Sequence, residues 1–227
     1  MTEELIIVFL LGGLASLDST EALQSMWSQP LVSATLAGWL WGDWQAGLKI
    51  GILFQLIWLW YLPLGANLFP DPASGGVVAA VSFLHFQNSA EINPNKLILI
   101  TVVLGFLFSY GAGWFSWKNR FWNAHLIHRL EEKLSSGKNP LNFYFALSLL
   151  ISFGRAAIIS LAGFLVLLAA TKFALTASAS LPDSFFDFIH PVLWGFGLGS
   201  LFLFFGKPKN WPALLAGLAL GGVTFIL

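Results

Sequence analysis

The chain has 227 residues, of which 57% are hydrophobic and 10% are charged, and its mean hydropathy is +0.76. Soluble domains carry about 25% charged residues, so this composition excludes an ordinary soluble protein and indicates an integral membrane protein. The net charge is zero, which excludes a basic surface for nucleic acid, and the absence of cysteine excludes disulfides and thiolate metal sites. We expect no cofactor and no metal.

Several charge-free stretches approach the ~20 residues that a helix needs to cross the hydrocarbon core. They predict an all-α, polytopic membrane protein with about seven apolar helical segments in a single domain over residues 1–227. After an N-terminal segment, the predicted helices cover residues 30–41, 44–62, 74–87, 96–116, 143–171, 188–205 and 211–227.

The N-terminal segment reads "MTEELIIVFLLGGLASLDS". Glu3 and Glu4 stand where a signal peptide carries lysine or arginine, so we expect the segment to remain in the protein as a short or half-buried helix. Asp18 followed by Glu21 resembles a capping box that opens a second short helix, and Pro30 is typical of the first turn of another.

A stripe of small residues follows in "GDWQAGLKIGILFQL", where Asp43, Gly47, Gly51 and Gln55 recur every four residues. Small residues at this spacing let a neighbouring helix approach closely. Because the stripe begins with a carboxylate and ends with an amide, it also fits a helix that lines a polar cavity. Packing and cavity lining both remain open from the sequence.

Residues 63–76, "PLGANLFPDPASGG", interrupt two apolar stretches. Pro63, Pro70 and Pro72 cannot all lie in one regular helix, because each removes a hydrogen bond and restricts the preceding residue. Non-helical backbone at membrane depth is tolerated only in the protein interior or beside a cavity. We therefore predict a broken, re-entrant segment in which Asn67 and Asp71 bind substrate hydroxyl groups. An external loop is the alternative.

The polar connection over residues 117–142 contains five of the eleven basic residues, Lys118, Arg120, Arg129, Lys133 and Lys138. The positive-inside rule places this connection in the cytoplasm. Residues 172–187 then lie outside, and Lys207 and Lys209 lie inside again.

Within this connection an apolar residue recurs every four positions, at Trp122, Leu126, Leu130 and Leu134, which predicts an amphipathic interfacial helix. It either docks a soluble partner or rests on lipid headgroups. Three polar side chains lie close together on this predicted helix, namely His125, His128 and Glu132. The main interpretation is that they form a solvated polar face, and the alternative is that they hold a metal ion.

Arg155, in "SLLISFGRAAIISLAGF", lies deep within the apolar segment at residues 143–171. An arginine at membrane depth is costly and usually faces an internal partner, for which Asp43 and Asp71 are the candidates. Snorkelling to the interface is the alternative. The sequence has no phosphate loop, no His-x-x-x-His pair and no Gly-x-Ser-x-Gly elbow, so no catalytic residue is identified.

Two stretches carry a family resemblance: "QPLVSATLAGWLWGD" leading into "GLKIGILFQLIWLWYLPLGANLFPD", and "FGRAAI". They resemble the membrane-embedded IIC subunit of the mannose/fructose/sorbose branch of the bacterial sugar phosphotransferase system. Gln55 stands where that family usually has glutamate, and Asn67 where it commonly has a small residue. The family's motif positions are occupied here by Asp43, Pro63, Gly65, Ala66, Pro70, Asp71 and Arg155.

The resemblance implies a multi-pass transport subunit of the bacterial inner membrane that moves a hexose-type sugar. It implies pairing with a IID membrane subunit, an oligomer of such heterodimers in the lipid bilayer, and phosphorylation of the sugar by a soluble IIA/IIB phosphocarrier. The alternatives are a secondary transporter or channel of the same fold without phosphoryl coupling, and a membrane enzyme or scaffold. The predicted substrate-binding residues are Asp43, Gln55, Asn67, Asp71 and Arg155.

Overall fold

The computed structural model describes residues 2–22, 24–59, 70–89, 92–137, 139–212 and 215–216. These residues form α-helices and two short 3-10 turns, Asp183–Phe186 and Pro208–Asn210, and contain no strand. The all-helical prediction is therefore confirmed. The helices are α1 (Thr2–Thr20), α2 (Pro30–Trp41), α3 (Trp44–Trp58), α4 (Pro72–Gln87), α5 (Pro94–Ser135), α6 (Leu141–Ala177) and α7 (Ile189–Phe205).

Helix α1 includes Asp18, so the capping box expected at that residue is wrong. The Asp18 carboxylate instead accepts hydrogen bonds from the backbone N–H of Ser25 at 2.7 Å and of Ser28 at 2.9 Å. It stabilises the turn after α1 because a carboxylate satisfies backbone donors that the turn leaves free. Pro30 begins α2, as predicted.

Helices α2 and α3 form a tight hairpin. Gly42 ends α2 with a φ of 95°, a left-handed conformation that glycine adopts without strain. A Cβ atom added at Gly47 would lie 2.5 Å from the Ala34 carbonyl oxygen and 2.8 Å from the Gly38 Cα. The stripe of small residues on α3 thus packs directly against α2, which confirms the packing interpretation.

Helix α4 lies at the centre of the fold. All its residues from Ala73 to Leu84 are buried, because α1, α2, α3, α5 and α6 pack around it. Such an enclosed position suits a helix that carries apolar residues on every side. With 16 residues it is about 24 Å long, shorter than the ~30 Å hydrocarbon core of a bilayer.

Helices α5 and α6 form a much longer hairpin, with 42 and 37 residues or about 63 and 56 Å. The amphipathic helix expected within residues 117–142 is present, but as the continuation of α5 rather than as a separate element. No proline or glycine interrupts residues 114–136, and lysine, arginine, leucine and glutamate favour helix there. The turn between the two helices contains Gly137, with a φ of 79°.

Three segments among the described residues are long and apolar enough to cross a membrane: Pro94–Ser135, Leu141–Ala177 and Asp183–Phe202. The predicted helix at residues 44–62 ends earlier, at Trp58, and residues 60–62 lie outside the described part of the chain. The predicted segment at residues 211–227 also falls largely outside it.

Candidate polar cavity at the end of the central helix

A cavity of about 420 Å³ opens at the N-terminal end of α4. Its wall combines the end of α1, the residues just before α4 and the middle of α5. Its volume falls in the range of about 300–1,000 Å³ that is typical of small-molecule sites. The lining residues are Ser19, Glu21, Pro70, Asp71, Ser116, Arg120, Asn123, Ala124 and Ile127.

Asp71 is the N-cap residue of α4. Its carboxylate accepts hydrogen bonds from the backbone N–H of Ser74 at 3.0 Å and from the Ser74 hydroxyl at 2.9 Å. Its own backbone N–H donates to the carbonyl oxygen of Ser109 at 2.8 Å, which fixes the position before α4 against α5. Asp71 is 5% exposed, and its carboxylate complements the positive end of the helix dipole, so a negative group is stabilised at the cavity.

Arg155 extends from α6 toward the same region. Its Nη1 donates to the Ser116 hydroxyl at 2.8 Å, and its guanidinium interacts electrostatically with the carboxylates of Asp71 and Glu21. Arg155 therefore has a polar partner on α5. Asp43 and Asp71 are the two predicted partners, and of these Asp71 lies near Arg155.

Glu21 is held in the cavity wall by Asn119. The Asn119 Nδ2 donates to Glu21 Oε1 at 2.9 Å and to the Ser152 hydroxyl at 2.7 Å, and Asn119 itself is buried. These bonds join α1, α5 and α6 in one polar network. Because a buried amide is stable only when it is hydrogen-bonded, Asn119 fixes the Glu21 carboxylate in place.

The sequence analysis missed Glu21, Asn119 and Arg120 as site residues. Ser116, Arg120 and Asn123 follow one another at helical spacing and form a polar stripe on one face of α5. This polar stripe can be recognised only if α5 continues past residue 117, whereas the predicted membrane helix ends at residue 116.

The other predicted residues lie apart from the cavity lining. Asp43 caps α3 by accepting from the Ala46 N–H at 3.0 Å, and it accepts from Gln87 Nε2 at 3.1 Å. Since Gln87 is the last residue of α4 and Asp71 precedes its first, Asp43 and Asp71 lie at opposite ends of that helix. Asp43 is thus about 24 Å from the cavity.

Gln55 lies at the open end of the α2–α3 hairpin. Its Nε2 donates to Gln29 Oε1 at 2.9 Å, and its Oε1 accepts from the Leu31 N–H at 3.4 Å.

Pro70 lines the cavity and Pro72 is the first residue of α4. Four other predicted positions lie outside the described residues, namely Pro63, Gly65, Ala66 and Asn67.

Another ionisable pair lies at the far end of α4, where His85 Nδ1 is 2.8 Å from Glu4 Oε1. A wide opening of about 850 Å³ beside His85 is lined mainly by apolar residues of α6, together with Lys172.

In the tip of the α5–α6 hairpin, His128 lies 3.7 Å from Glu131 and 3.9 Å from Glu132, and all three side chains are exposed. Within the described residues, no group of three or more His, Cys, Asp or Glu side chains is placed to hold a metal ion.

The short buried helix, the membrane-crossing helices around it and the polar cavity at its end are the features of a membrane transport protein. The chain matches the model of the family described as "PTS system sorbose-specific IIC component" over residues 3–224. It belongs to that family, and it is a sugar-translocating membrane subunit of a phosphotransferase system.

Two solved structures share the fold. One, described as "Structure of membrane protein", has a TM-score of 0.69 and 17% identity, and the match covers 100% of this chain and 93% of that one. The other is a cryo-EM structure of the mannose transporter ManYZ in complex with microcin E492, with a TM-score of 0.58 and 15% identity over 98% of this chain and 87% of that one. Among curated proteins, none has a significant sequence match.

Proposed function

We propose that the cavity at the N-terminal end of α4 binds the transported sugar, a hexose or a closely related compound. The observation that carries this proposal is the convergence of Glu21, Asp71 and Arg120 in the lining of one cavity within a sugar-translocating subunit. The chain acts as a single-domain, multi-pass protein of the bacterial inner membrane.

The chemistry of the lining residues suits a polyhydroxylated, uncharged substrate. Sugar hydroxyls both donate and accept hydrogen bonds, and the cavity offers carboxylate acceptors on Glu21 and Asp71 and donors on Arg120 and Asn123. Ser19 adds a hydroxyl that can do either. The lining thus combines two acidic side chains with one basic side chain.

The proposed partners are a IID membrane subunit, with which the chain forms an oligomer of heterodimers, and a soluble IIA/IIB phosphocarrier that phosphorylates the sugar. The cavity lies at the same end of α5 as the basic residues Lys118, Arg129 and Lys133. By the positive-inside rule that end faces the cytoplasm, where a soluble phosphoryl donor meets the sugar. The chain itself supplies binding and passage rather than phosphoryl chemistry.

Equilibrium binding of labelled hexoses to the purified complex with its IID subunit tests the site. A hydrogen bond to a charged group contributes roughly 1.5–3 kcal/mol, so Asp71→Ala should weaken binding about tenfold or more. Asp71→Asn keeps an acceptor that caps α4, so it should preserve assembly and recover part of the affinity.

Asp43→Asn is the matched control. Asp43 also caps a helix, α3, but lies at the far end of α4, so its substitution should leave binding unchanged. Equal losses in the Asp43 and Asp71 variants would place the sugar elsewhere. Uptake without phosphorylation, when IIA/IIB, phosphoenolpyruvate and the soluble proteins that pass its phosphoryl group to IIA are supplied, would identify an uncoupled transporter instead.

A further inference from the structure

A second groove lies between α5 and α6, next to the sugar cavity but on a neighbouring face of α5. It has a volume of about 400 Å³ and is lined by Phe115, Lys118, Asn119, Trp122, Ile151 and Arg155. Phe115, Trp122 and Ile151 are exposed, with 45%, 67% and 37% of their surface accessible. The groove therefore opens to the surroundings of the protein rather than to its interior.

Lys118 gives this groove a positive charge. Its ammonium lies 5.4 Å from the ring centroid of Trp114 and 5.3 Å from that of Trp117. Within the part of the chain that the structure describes, no carboxylate forms an ion pair with Lys118. The neighbouring Arg155 guanidinium donates to the Ser116 hydroxyl, and Arg155 also lines the groove.

The position of the groove along α5 matches the boundary between hydrocarbon and headgroups. The uncharged stretch of α5 ends at Trp117, and Lys118 is the next residue. Tryptophan and lysine at this depth are typical of the interface on the cytoplasmic side. Phe115 and Ile151 supply an apolar wall beside the charge.

We propose that this groove binds an anionic phospholipid, with the phosphate at Lys118 and an acyl chain against Phe115 and Ile151. Basic pockets between membrane helices on the cytoplasmic side bind acidic headgroups in this way. The groove offers both parts of this match, namely an exposed apolar wall and an ammonium with no ion-pair partner among the described residues.

Native mass spectrometry of the complex with its IID subunit, titrated with phosphatidylglycerol or phosphatidylcholine, tests the proposal. We expect preferential retention of phosphatidylglycerol. A basic residue near the surface contributes about 1 kcal/mol of attraction, so Lys118→Gln should weaken phosphatidylglycerol binding about fivefold. Lys118→Arg should retain it.

Lys133→Gln is the matched control, because Lys133 is also an exposed lysine of α5 but lies beyond the groove, near the tip of the hairpin. It should bind phosphatidylglycerol like the unmodified chain. Equal binding of the two lipids, or an unchanged affinity in Lys118→Gln, would overturn the proposal. Binding seen only after the IID subunit is removed would also overturn it and assign the groove to the subunit interface.

Discussion

Arg155 and Asp71 illustrate which site residues a sequence reveals. Each is unusual for its surroundings in the sequence: Arg155 is a charged residue within an apolar helix, and Asp71 lies between two prolines just before a helix. Glu21 and Asn119 are not unusual in this way, because both occupy segments that the sequence predicts to be polar. Their role depends on contacts between α1, α5 and α6, which no local pattern encodes.

The Arg155 network leads to a residue-scale prediction. Arg155→Leu removes the cation near Asp71 and Glu21 and leaves Arg120 as the remaining basic residue of the cavity lining beside these two carboxylates. Sugar uptake should be abolished while the protein still inserts. Uptake by cells and the amount of protein in the membrane are measured together.

Arg129→Leu is the control for this variant, since Arg129 is exposed on the outer part of α5 and should tolerate the change. Uptake at the normal level by Arg155→Leu would show that the arginine only snorkels to the interface.

At the level of elements, the sequence predicts the helices well where glycine or proline marks their ends. Gly42 ends α2 and Pro30 begins it, as predicted, and the sequence places the starts of α4 and α5 two residues late, at 74 and 96 instead of Pro72 and Pro94. It also assigns Pro72 to the broken segment, whereas Pro72 begins a regular helix. It fails after residue 117, where charge alone was taken as the end of a helix. Charged residues with high helix propensity end a membrane span without ending the helix, so α5 continues to Ser135.

The α2–α3 hairpin gives an element-scale prediction. Gly47→Ala places a methyl group against the Ala34 carbonyl oxygen and forces the helices apart, which should cost about 1–3 kcal/mol. Thermal unfolding of the purified protein in detergent measures the effect, and the variant should unfold at a lower temperature.

Gly111→Ala is the control on α5, because a Cβ atom there meets nothing within 4 Å. Alanine is the better helix former, so this variant should be as stable as the unmodified chain or slightly more stable. A Gly47→Ala protein that unfolds at the normal temperature would contradict the close packing of α2 on α3.

For the whole molecule, the order of the helices and the charge of their connections define a topology. Helix α4 runs from the cavity end, where Asp71 lies, toward the opposite end, where His85 lies. Helix α5 then runs back toward the cavity end, because the carbonyl oxygen of Ser109 on α5 accepts a hydrogen bond from the backbone N–H of Asp71. The sequence yields the membrane class and predicts the sidedness of the loops. It does not yield the enclosure of α4, which depends on five different helices packing around it.

This topology is tested with reporter fusions. A reporter that is active only in the cytoplasm should work when inserted at Gly137 and after Lys209, and should fail at Ser180. The basic residues around the first two positions are retained on the cytoplasmic side during insertion. A reporter of opposite specificity at the same three sites serves as the control, and activity of the first reporter at Ser180 would refute the assignment.

The uninterrupted length of α5 has a mechanical consequence. The helix passes from the cavity wall at Arg120 to the tip at Ser135 without a hinge, over roughly 22 Å. A stiff rod of this kind transmits a tilt from one end to the other, because no proline or glycine lets it bend between them. Pressure from a soluble protein on the tip would therefore reach the lining of the cavity as displacement, without any chemical signal passing through the chain.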